Sequence, residues 1–272
     1  MNKIIALLLT ACIALTMFIS SAYALTYMGY DYFGGTYQDA EKSPTNSEDD
    51  LMCWAATASN MLNWTGWGNV WSTGSTAEDN IFQYFQDHWT DQGGNMYFGV
   101  DWWFDGLSDS QGWQGWSQVD VDGGGFYNHS YFEDNYVWSS DDANALNNIG
   151  TYLHEGRGVG LGLSGDIAHA ITCWGYEYDD LGNYLGVYIT DSDDDKQMTS
   201  PPDSLMYYDV ELYSGEWYLH DYYSYGDHNV FISEVHGLSQ YGASPTPEPA
   251  TLLLLGSGLV GLAVIGRKWF KK

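Results

Sequence analysis

Lysine and arginine are scarce in this sequence, which has 8 of them against 36 aspartates and glutamates and a formal net charge of -28. Proteins that bind nucleic acids need clustered basic side chains against the phosphates, so this shortage argues against a nucleic-acid partner. Cysteine is also rare, and 3 cysteines in 272 residues are too few for a disulfide-stapled scaffold. Aromatic residues, in contrast, make up 17% of the chain, which provides enough apolar surface to exclude intrinsic disorder.

The first 24 residues have the features of a secretory signal peptide. Lys3 supplies a positive charge, residues 4–19 form an apolar run, and Ala22-Tyr23-Ala24 fits the A-x-A cleavage pattern. We therefore expect cleavage after Ala24 and export of the following residues across the inner membrane. Two alternatives are a buried N-terminal helix and lipoprotein processing at Cys12.

A second apolar segment lies at residues 250–266 and is followed by four lysines and arginines. At 1.5 Å per residue, a helix of this length spans roughly 25 Å, slightly less than the ~30 Å hydrocarbon core of a bilayer. We predict a transmembrane segment at 250–266 with a cytoplasmic C-terminus, because basic residues collect on the cytoplasmic side.

The motif Pro247-Glu248-Pro249 directly precedes this segment. The order of motif, apolar span and basic tail resembles the PEP-CTERM sorting signal of Gram-negative exosortase substrates, and we assign this signal to residues 241–272. The resemblance implies that an exosortase cleaves near the motif. The protein would then be anchored transiently in the membrane and end at the cell surface or in the medium. A plain C-terminal membrane anchor is the alternative.

Residues 25–240 contain no repeat of fixed period and no linker, which favours a single domain. Apolar residues recur at helical spacing in the first part of this region, whereas alternating patterns and turn residues dominate the later part. Helices are predicted at 51–64, 77–89 and 141–155, strands at 159–163, 168–177, 185–190, 205–212, 216–222 and 229–235, and long loops at 91–130. Helices followed by strands indicate an α+β domain with an antiparallel sheet.

Cys53 stands in the first turn of the best-defined helix, which we expect Asp49 or Asp50 to cap and Gly66 to end. At a helix N-terminus, the free backbone N–H groups and the helix dipole stabilise a thiolate over a thiol. This arrangement is typical of a nucleophilic cysteine. Taken alone, it is equally compatible with a buried structural cysteine.

His169 and Asp191 lie on two predicted strands joined by the turn-rich segment 178–184. A hairpin centred on Asp180 would place the two side chains opposite each other, with Cβ atoms about 5 Å apart. The carboxylate would then orient the imidazole and stabilise its protonated form, the third role in a Cys-His-Asp system. A register slip of one residue would separate them.

Three segments resemble parts of one protein family. Residues 49–64 (DDLMCWAATASNMLNW) resemble the nucleophile helix of the IdeS/Mac immunoglobulin-degrading cysteine endopeptidases, and residues 168–177 (AHAITCWGYE) are similar to its catalytic-histidine strand. Residues 189–193 (ITDSD) resemble the acidic motif, and the spacing of 22 residues between His169 and Asp191 fits the family.

The resemblance implies a papain-like fold over residues 25–240 and a secreted or surface thiol protease that uses no cofactor and no metal. Cys53 would be the nucleophile, His169 the base, Asp191 the residue that orients the histidine, and Asp193 a supporting acid. The family also uses a lysine shortly before the nucleophile to bind the oxyanion, together with the Cys53 N–H. Lys42 is the candidate, although it stands one residue farther from the cysteine than the pattern expects. A protein or peptide is the expected substrate; immunoglobulin itself does not follow from the fold.

Two alternatives concern cysteine and calcium. Cys53 and Cys173 could form a disulfide in an oxidising compartment, but Cys173 would lie about 13 Å along its strand from the histidine. The acidic run 191–195 departs from an EF-hand loop, because Lys196 stands at the glycine position and Pro202 at the glutamate position. Weak calcium binding by this run stays open.

The aromatic clusters offer a different class of function. Those at 102–103, 113–116 and 222–225 could line a glycan-binding face, although such clusters more often pack in cores and loops. The alternative reading is therefore a non-catalytic, aromatic-rich envelope protein that binds exopolysaccharide on a degenerate protease fold.

Residues 25–249, between the signal peptide and the C-terminal apolar segment, are even more acidic than the whole chain. Only 3 of the lysines and arginines, Lys42, Arg157 and Lys196, lie between them, together with all 36 acidic residues. This balance favours cationic or neutral partners.

Overall fold

The structure, a computed structural model, describes residues 23–43, 45, 47, 49–70, 77–89, 91, 93–106, 123–194 and 204–242. The chain divides into two compact units, residues 1–240 and 241–272, and only residues 241 and 242 of the second are described. The predicted transmembrane segment and all but the last two residues of the predicted signal peptide lie outside the described residues. No helix within the described ranges has the length and apolar character needed to cross a membrane.

The first unit combines helices with an antiparallel sheet, which confirms the predicted α+β class. The helices are α1 (Gly29–Phe33), α2 (Cys53–Thr65), α3 (Glu78–His88), α4 (Met96–Asp105), α5 (His129–Asn135) and α6 (Ala145–His154). The strands are β1 (Leu25–Met28), β2 (Tyr136–Ser139), β3 (Gly158–Gly165), β4 (His169–Tyr178), β5 (Tyr184–Thr190), β6 (Met206–Tyr213), β7 (Glu216–Leu219) and β8 (Val230–Leu238).

Strands β3 to β8 pair in a closed ring. Each strand is antiparallel to the next in the chain, and β8 pairs back onto β3. Strand β1 extends the same edge of β4 that β3 occupies, and β2 pairs with β8. A closed ring leaves few free strand edges, since closure satisfies the backbone N–H and C=O groups. One core cluster consists of apolar residues from these strands and from α6.

Helix α2 is buried along almost its whole length, between α3 and α4 on one side and β3 and β4 on the other. Its alanines at 55, 56 and 58 are fully buried, and such small side chains let neighbouring elements approach the helix closely. The helix ends at Gly66, whose φ of 84° is the left-handed conformation that glycine adopts without a Cβ penalty. The second core cluster packs large aromatic side chains of α3 and α4 against this helix.

The cap predicted for this helix is wrong. Met52 is the N-cap, and no side chain caps the helix. The Asp49 carboxylate instead accepts hydrogen bonds from the Ser43 N–H and from Gln86 Nε2, both at 2.8 Å. Asp49 therefore ties the preceding loop to α3, and the helix begins two residues later than predicted.

The loop predicted at 91–130 is wrong in part, because α4 and the start of α5 lie within it. Seven of the ten residues of α4 are buried, so its apolar residues do not follow a one-sided helical pattern. The structure also adds β1, α1 and β2, which were not predicted. Smaller differences are a 3-10 turn at Asp142–Asn144 before α6, a β7 that ends at Leu219, and a β8 that continues to Leu238.

Candidate active site

Cys53 is the first residue of α2 and carries a free, half-buried thiol. The first N–H groups of a helix have no acceptor within the helix. The N–H of Cys53 therefore points out of the N-terminus of α2, where the thiol also lies. Its neighbours Met52 and Trp54 are 0% and 2% exposed, which fixes the backbone on both sides of the thiol. Sequence reasoning placed Cys53 in the first turn of this helix, and the structure places it there.

His169 is the first residue of β4, and its side chain is 10% exposed. Its Nε2 lies 2.7 Å from Asp191 Oδ1, which is hydrogen-bonding distance. Nδ1 lies 3.9 Å from Asp193 Oδ2, too far for a hydrogen bond. Because Asp191 takes Nε2, Nδ1 is the nitrogen left for Cys53, whose thiol lies close enough to the imidazole for the two groups to shift each other's pKa.

The predicted register of the β4–β5 hairpin is wrong by two residues. Thr172 pairs with Thr190, a register that places position 169 opposite position 193 rather than 191. The Asp179 side chain accepts hydrogen bonds from the N–H groups of Leu181 and Asn183, which centres the turn on Leu181 instead of Asp180. The pairing is irregular between Cys173 and Gly175 and again between Glu177 and Tyr178. At the Thr172 end the shift is two, which preserves the predicted face there, so His169 and Asp191 still meet as diagonal neighbours.

Asp191 is 1% exposed and fully hydrogen-bonded. Its Oδ1 also accepts the Asp193 N–H at 3.0 Å, and its Oδ2 accepts the Tyr222 hydroxyl. Burial alone raises the pKa of this carboxyl group, but the charge and hydrogen bond of His169 and the Tyr222 bond outweigh it and lower the pKa. A buried carboxylate beside Nε2 therefore stays ionised and holds the imidazole in one orientation.

The thiol and the imidazole shift each other's proton affinity. Burial raises the pKa of Cys53, whereas the charge and hydrogen bond of His169 and the charge of Lys42 lower it, and the net shift is downward. Burial lowers the pKa of His169, but Asp191 and Cys53 outweigh it and hold the pKa well above its ordinary value. Both shifts favour a thiolate next to an imidazolium, the reactive form of a cysteine nucleophile.

Lys42 reaches the same place from the chain segment before α2. It is 2% exposed, and its Nζ donates to Asp193 Oδ2 at 2.8 Å and to the Asp50 carbonyl oxygen at 2.9 Å. Its N–H donates to the Ser192 carbonyl oxygen at 3.1 Å, which ties this segment to the loop that follows β5. Lys42 and Asp193 thus lie together beside Cys53 and His169.

The Lys42–Asp193 ion pair leads to a stability prediction. Lys42→Met removes the charge at similar length, and we expect it to lower the free energy of unfolding by about 3 kcal/mol, because a largely buried carboxylate loses its ammonium partner. Urea denaturation measures the change. The double variant Lys42→Met with Asp193→Asn should recover most of the loss. Equal destabilisation by the double variant and by the sum of the single variants would contradict the coupling.

These side chains face one cavity of about 670 Å³. The lining combines the charged and polar groups of the site with a glycine-rich segment before α4, part of β3 and β8, and tyrosines that follow β7. The lining includes Lys42, Cys53, Gly93, Gly94, Asn95, Gly162, His169, Asp193, Tyr222, Tyr223, Tyr225 and Glu234. An extended segment of another chain can therefore reach Cys53 from solvent.

Cys173 is not part of the site. It is fully buried, burial raises the pKa of its thiol to about 12, and both Cys53 and Cys173 are free. The alternative disulfide between them is therefore wrong. The aromatic residues Trp102 and Trp103 are also fully buried, so they belong to the core rather than to a glycan-binding face. The cluster 113–116 lies outside the described residues.

Three groups in the described part of the chain place possible metal ligands within 4.8 Å of one another. One is the set His169, Asp191 and Asp193, and another is the buried set Asp39, Glu41 and Asp194. The third consists of Asp101, Asp105 and His129. Its members lie on two different helices, α4 and α5, so sequence spacing gives no sign of this group.

Sequence reasoning missed two parts of the site. Tyr222 was considered only as part of an aromatic cluster that packs in the core or lines a glycan-binding face, whereas it is 1% exposed and bonded to Asp191. Asn95 and Glu234 also line the cavity and are hydrogen-bonded to each other at 3.0 Å. Neither residue carries a sequence signal: Asn95 stands at the N-cap of α4, a helix that the pattern does not reveal, and the place of Glu234 depends on strand pairing.

Family models match two parts of the chain. The Mac 1 family matches residues 117–201, and the PEP-CTERM protein-sorting motif matches residues 245–268. These matches confirm the resemblances drawn from the sequence. The Mac 1 match suggests a protease of the IdeS/Mac type, and the sorting motif suggests exosortase processing and export toward the surface of a Gram-negative cell. No curated protein matches the chain.

The Mac 1 match covers part of the site only. It includes His169, Asp191 and Asp193, whereas Cys53 and Lys42 precede it.

Proposed function

We propose that this protein is an exported cysteine endopeptidase with a papain-like fold, in which Cys53, His169 and Asp191 form the catalytic triad. One observation carries the proposal: the Cys53 thiol and the His169 imidazole share one cavity and shift each other's pKa, and the imidazole Nε2 lies 2.7 Å from a buried carboxylate. The nucleophile stands at a helix start, against an antiparallel ring of strands that carries the histidine, and this layout supports the papain-like assignment.

The reaction begins with attack of the Cys53 thiolate on the carbonyl carbon of a bound peptide. A carbon–sulfur bond forms and the carbonyl π electrons move to the oxygen, which becomes an oxyanion. When this intermediate collapses, the carbon–nitrogen bond breaks and the His169 imidazolium gives its proton to the leaving amine. The products of this half are a free amine and a thioester on Cys53.

The second half returns the enzyme to its starting state. A water molecule loses a proton to the neutral His169 imidazole and attacks the thioester carbonyl, and the sulfur leaves as thiolate. The new carboxylic acid departs, and the imidazolium stands again beside the thiolate. Asp191 remains ionised throughout, because its role is to orient the imidazole and stabilise its positive charge.

The oxyanion is held at the N-terminus of α2. The Cys53 N–H has no acceptor within the helix, and the helix dipole adds positive potential at the same place. Lys42 Nζ is the second donor that we assign to the oxyanion, since it lies beside Cys53 and its charge lowers the pKa of that thiol. Donors fixed in advance stabilise a developing charge without reorganisation.

We propose the same export route that the sequence predicts. The signal peptide directs the chain across the inner membrane, segment 250–266 anchors it, and an exosortase cleaves near residues 247–249. The strongly acidic body that remains favours a soluble, exported state.

Thiol alkylation tests the proposal directly. In native protein, iodoacetamide should modify Cys53 rapidly and continue to do so below pH 8, because its pKa is lowered and the thiolate persists there. Cys173 should stay unmodified until the protein unfolds, because burial raises its pKa to about 12. Peptide mapping by mass spectrometry measures both rates in one sample. The variant His169→Ala should shift the Cys53 rate profile to higher pH.

An inert Cys53 would overturn the assignment. Slow labelling with the pH dependence of an ordinary thiol would favour the non-catalytic envelope protein instead, and binding of exopolysaccharide would then be the property to measure.

A further inference from the structure

Glu234 places a carboxylate in the cavity on the strand next to β3. Gly162 of β3 pairs with Ala170 on one side and with Glu234 on the other. The Ala170 backbone lies beside the Cys53 thiol, whose pKa it lowers, and two strand spacings of about 4.8 Å put the backbone of Glu234 roughly 10 Å from that of Ala170. Both residues line the same cavity.

The strand between them is shaped to hold this carboxylate. A Cβ atom at Gly162 would lie 3.1 Å from Glu234 Cβ and 3.3 Å from its Oε2, closer than side chains ordinarily pack. The absence of a side chain at 162 lets Glu234 lie across β3 toward the cavity. A register shift between Gly162 and Leu163 occurs at the same point of the β3–β8 pairing.

Two donors fix one oxygen of Glu234. Asn95 Nδ2 and His236 Nε2 both lie 3.0 Å from Oε2. Asn95 is itself held, because its Oδ1 accepts the Tyr97 N–H at 2.8 Å as the cap of α4. Within the described residues, no hydrogen bond holds Oε1, and the side chain is 31% exposed.

A buried chain of hydrogen bonds stands behind His236. The His236 side chain is 0% exposed, and its Nδ1 lies 2.8 Å from the Tyr136 hydroxyl. Burial holds the pKa of Tyr136 well above its ordinary value, so its hydroxyl keeps its proton and donates to Nδ1. The imidazole then donates from Nε2 to Glu234. The hydrogen bond from His236 lowers the pKa of Glu234, which stays charged at neutral pH.

The charge balance of the cavity favours a cation. Lys42 is the one lysine or arginine among the lining residues that the structure describes, and it is bonded to Asp193. Asp50 and Glu234 add two further carboxylates to the lining. An arriving cationic side chain therefore meets a negative site in which one carboxylate is already oriented.

We propose that Glu234 is a specificity-determining residue that selects substrates with a lysine or arginine close to the scissile peptide bond. The cationic group binds Oε1 of Glu234. At about 3.3 Å per residue of extended chain, the 10 Å separation places the basic residue within about three positions of the cleaved bond. This inference rests on the proposed function, and it adds the substrate class.

Cleavage of a random octapeptide pool by the unaltered chain, read by mass spectrometry, tests the inference. Lysine and arginine should be enriched about tenfold at one position within three residues of the cut, since charge-assisted hydrogen bonds are among the strong ones. Glu234→Gln keeps the shape and should remove this enrichment while cleavage of neutral peptides persists. Glu211→Gln, which removes a carboxylate outside the cavity, should cleave with the unaltered preference.

A binding measurement separates failure of the inference from failure of the proposed function. The Cys53→Ala chain, and the same chain with Glu234→Gln, are mixed with the same pool, and the retained peptides are identified. Glu234-dependent retention of basic peptides supports the inference even where no chain cleaves. Cleavage without a basic preference, a preference that Glu234→Gln leaves intact, or retention independent of Glu234 would overturn it.

Discussion

Replacing Cys53 by alanine is expected to lower the rate of peptide-bond cleavage by roughly 10⁴-fold or more, because alanine cannot form the thioester on which both halves of the reaction depend. The fold should survive the change. Cys53 is half-buried, and the change removes one sulfur atom from a helix that its alanines and its flanking residues Met52 and Trp54 hold in place. Cleavage of unfolded casein, followed by chromatography, and circular dichroism measure the two properties.

Cys173→Ala is the matched control. Cys173 is fully buried in the core of strands, so its loss leaves a small cavity and should lower the free energy of unfolding by about 1 kcal/mol. Cleavage by this variant should match that of the unaltered chain at temperatures where both are folded. The triad assignment fails if Cys53→Ala still cleaves, or if the two variants lose activity to the same extent.

Asp191→Asn is expected to reduce cleavage by about 10³-fold while the protein remains folded. An asparagine has nearly the same shape, but its neutral amide cannot balance the imidazolium or hold His169 in the required orientation. The pKa of His169 should fall once the carboxylate that raises it is gone. The imidazolium of the thiolate–imidazolium pair would then lose its proton at a lower pH. The remaining activity would therefore decline at a lower pH on the alkaline side of its pH profile.

Tyr222→Phe tests whether the site depends on the charge of Asp191 or on the hydrogen bond that Asp191 accepts from Tyr222. This variant removes the hydroxyl bonded to Asp191 and leaves the carboxylate, so we expect a loss of less than about tenfold. The pH profile of kcat/KM should keep its width. Equal losses in Tyr222→Phe and Asp191→Asn would mean that the site needs the buried hydrogen bond and not the charge.

Asp191 and His169 also make the free energy of unfolding depend on pH. The pKa of Asp191 is lowered on folding, so its contribution is present above its ordinary pKa near 4 and is lost as the pH falls through the lowered value. The pKa of His169 is raised, so its contribution is present below its ordinary pKa near 6.5 and is lost as the pH rises through the raised value. Asp191→Asn should therefore be most destabilising between about pH 4 and 6.5, as urea denaturation can measure.

The sequence predicts the parts of the site that depend on local pattern. The helix that carries Cys53 follows from its apolar residues and from Gly66, and the strands that bring His169 and Asp191 together follow from alternation and turn residues. The register was wrong by two because the Asp179 side chain moves the centre of the turn to Leu181. A local pattern indicates that a turn exists, but the hydrogen bonds of one side chain decide its centre.

Features that depend on distant contacts could not be predicted. Helix α4 is buried on nearly every side, so it lacks the one-sided pattern by which helices are recognised. Glu234 reaches the cavity because β8 closes the ring onto β3, and no sequence signal near residue 234 indicates that pairing. Asp49 was expected to cap α2, but its carboxylate accepts hydrogen bonds from Ser43 and Gln86 instead. The positions of these two donors depend on the tertiary structure.

The residues around Cys53 are far apart along the chain. Lys42 and Asp193 are separated by 151 positions, and His169 and Asp191 by 22. These contacts exist only where the chain has brought the four segments together. Because the pKa shifts arise from those contacts, the thiol of an unfolded chain is an ordinary thiol. The reactive thiol is therefore a property of the folded state, and it is acquired in the folding step itself.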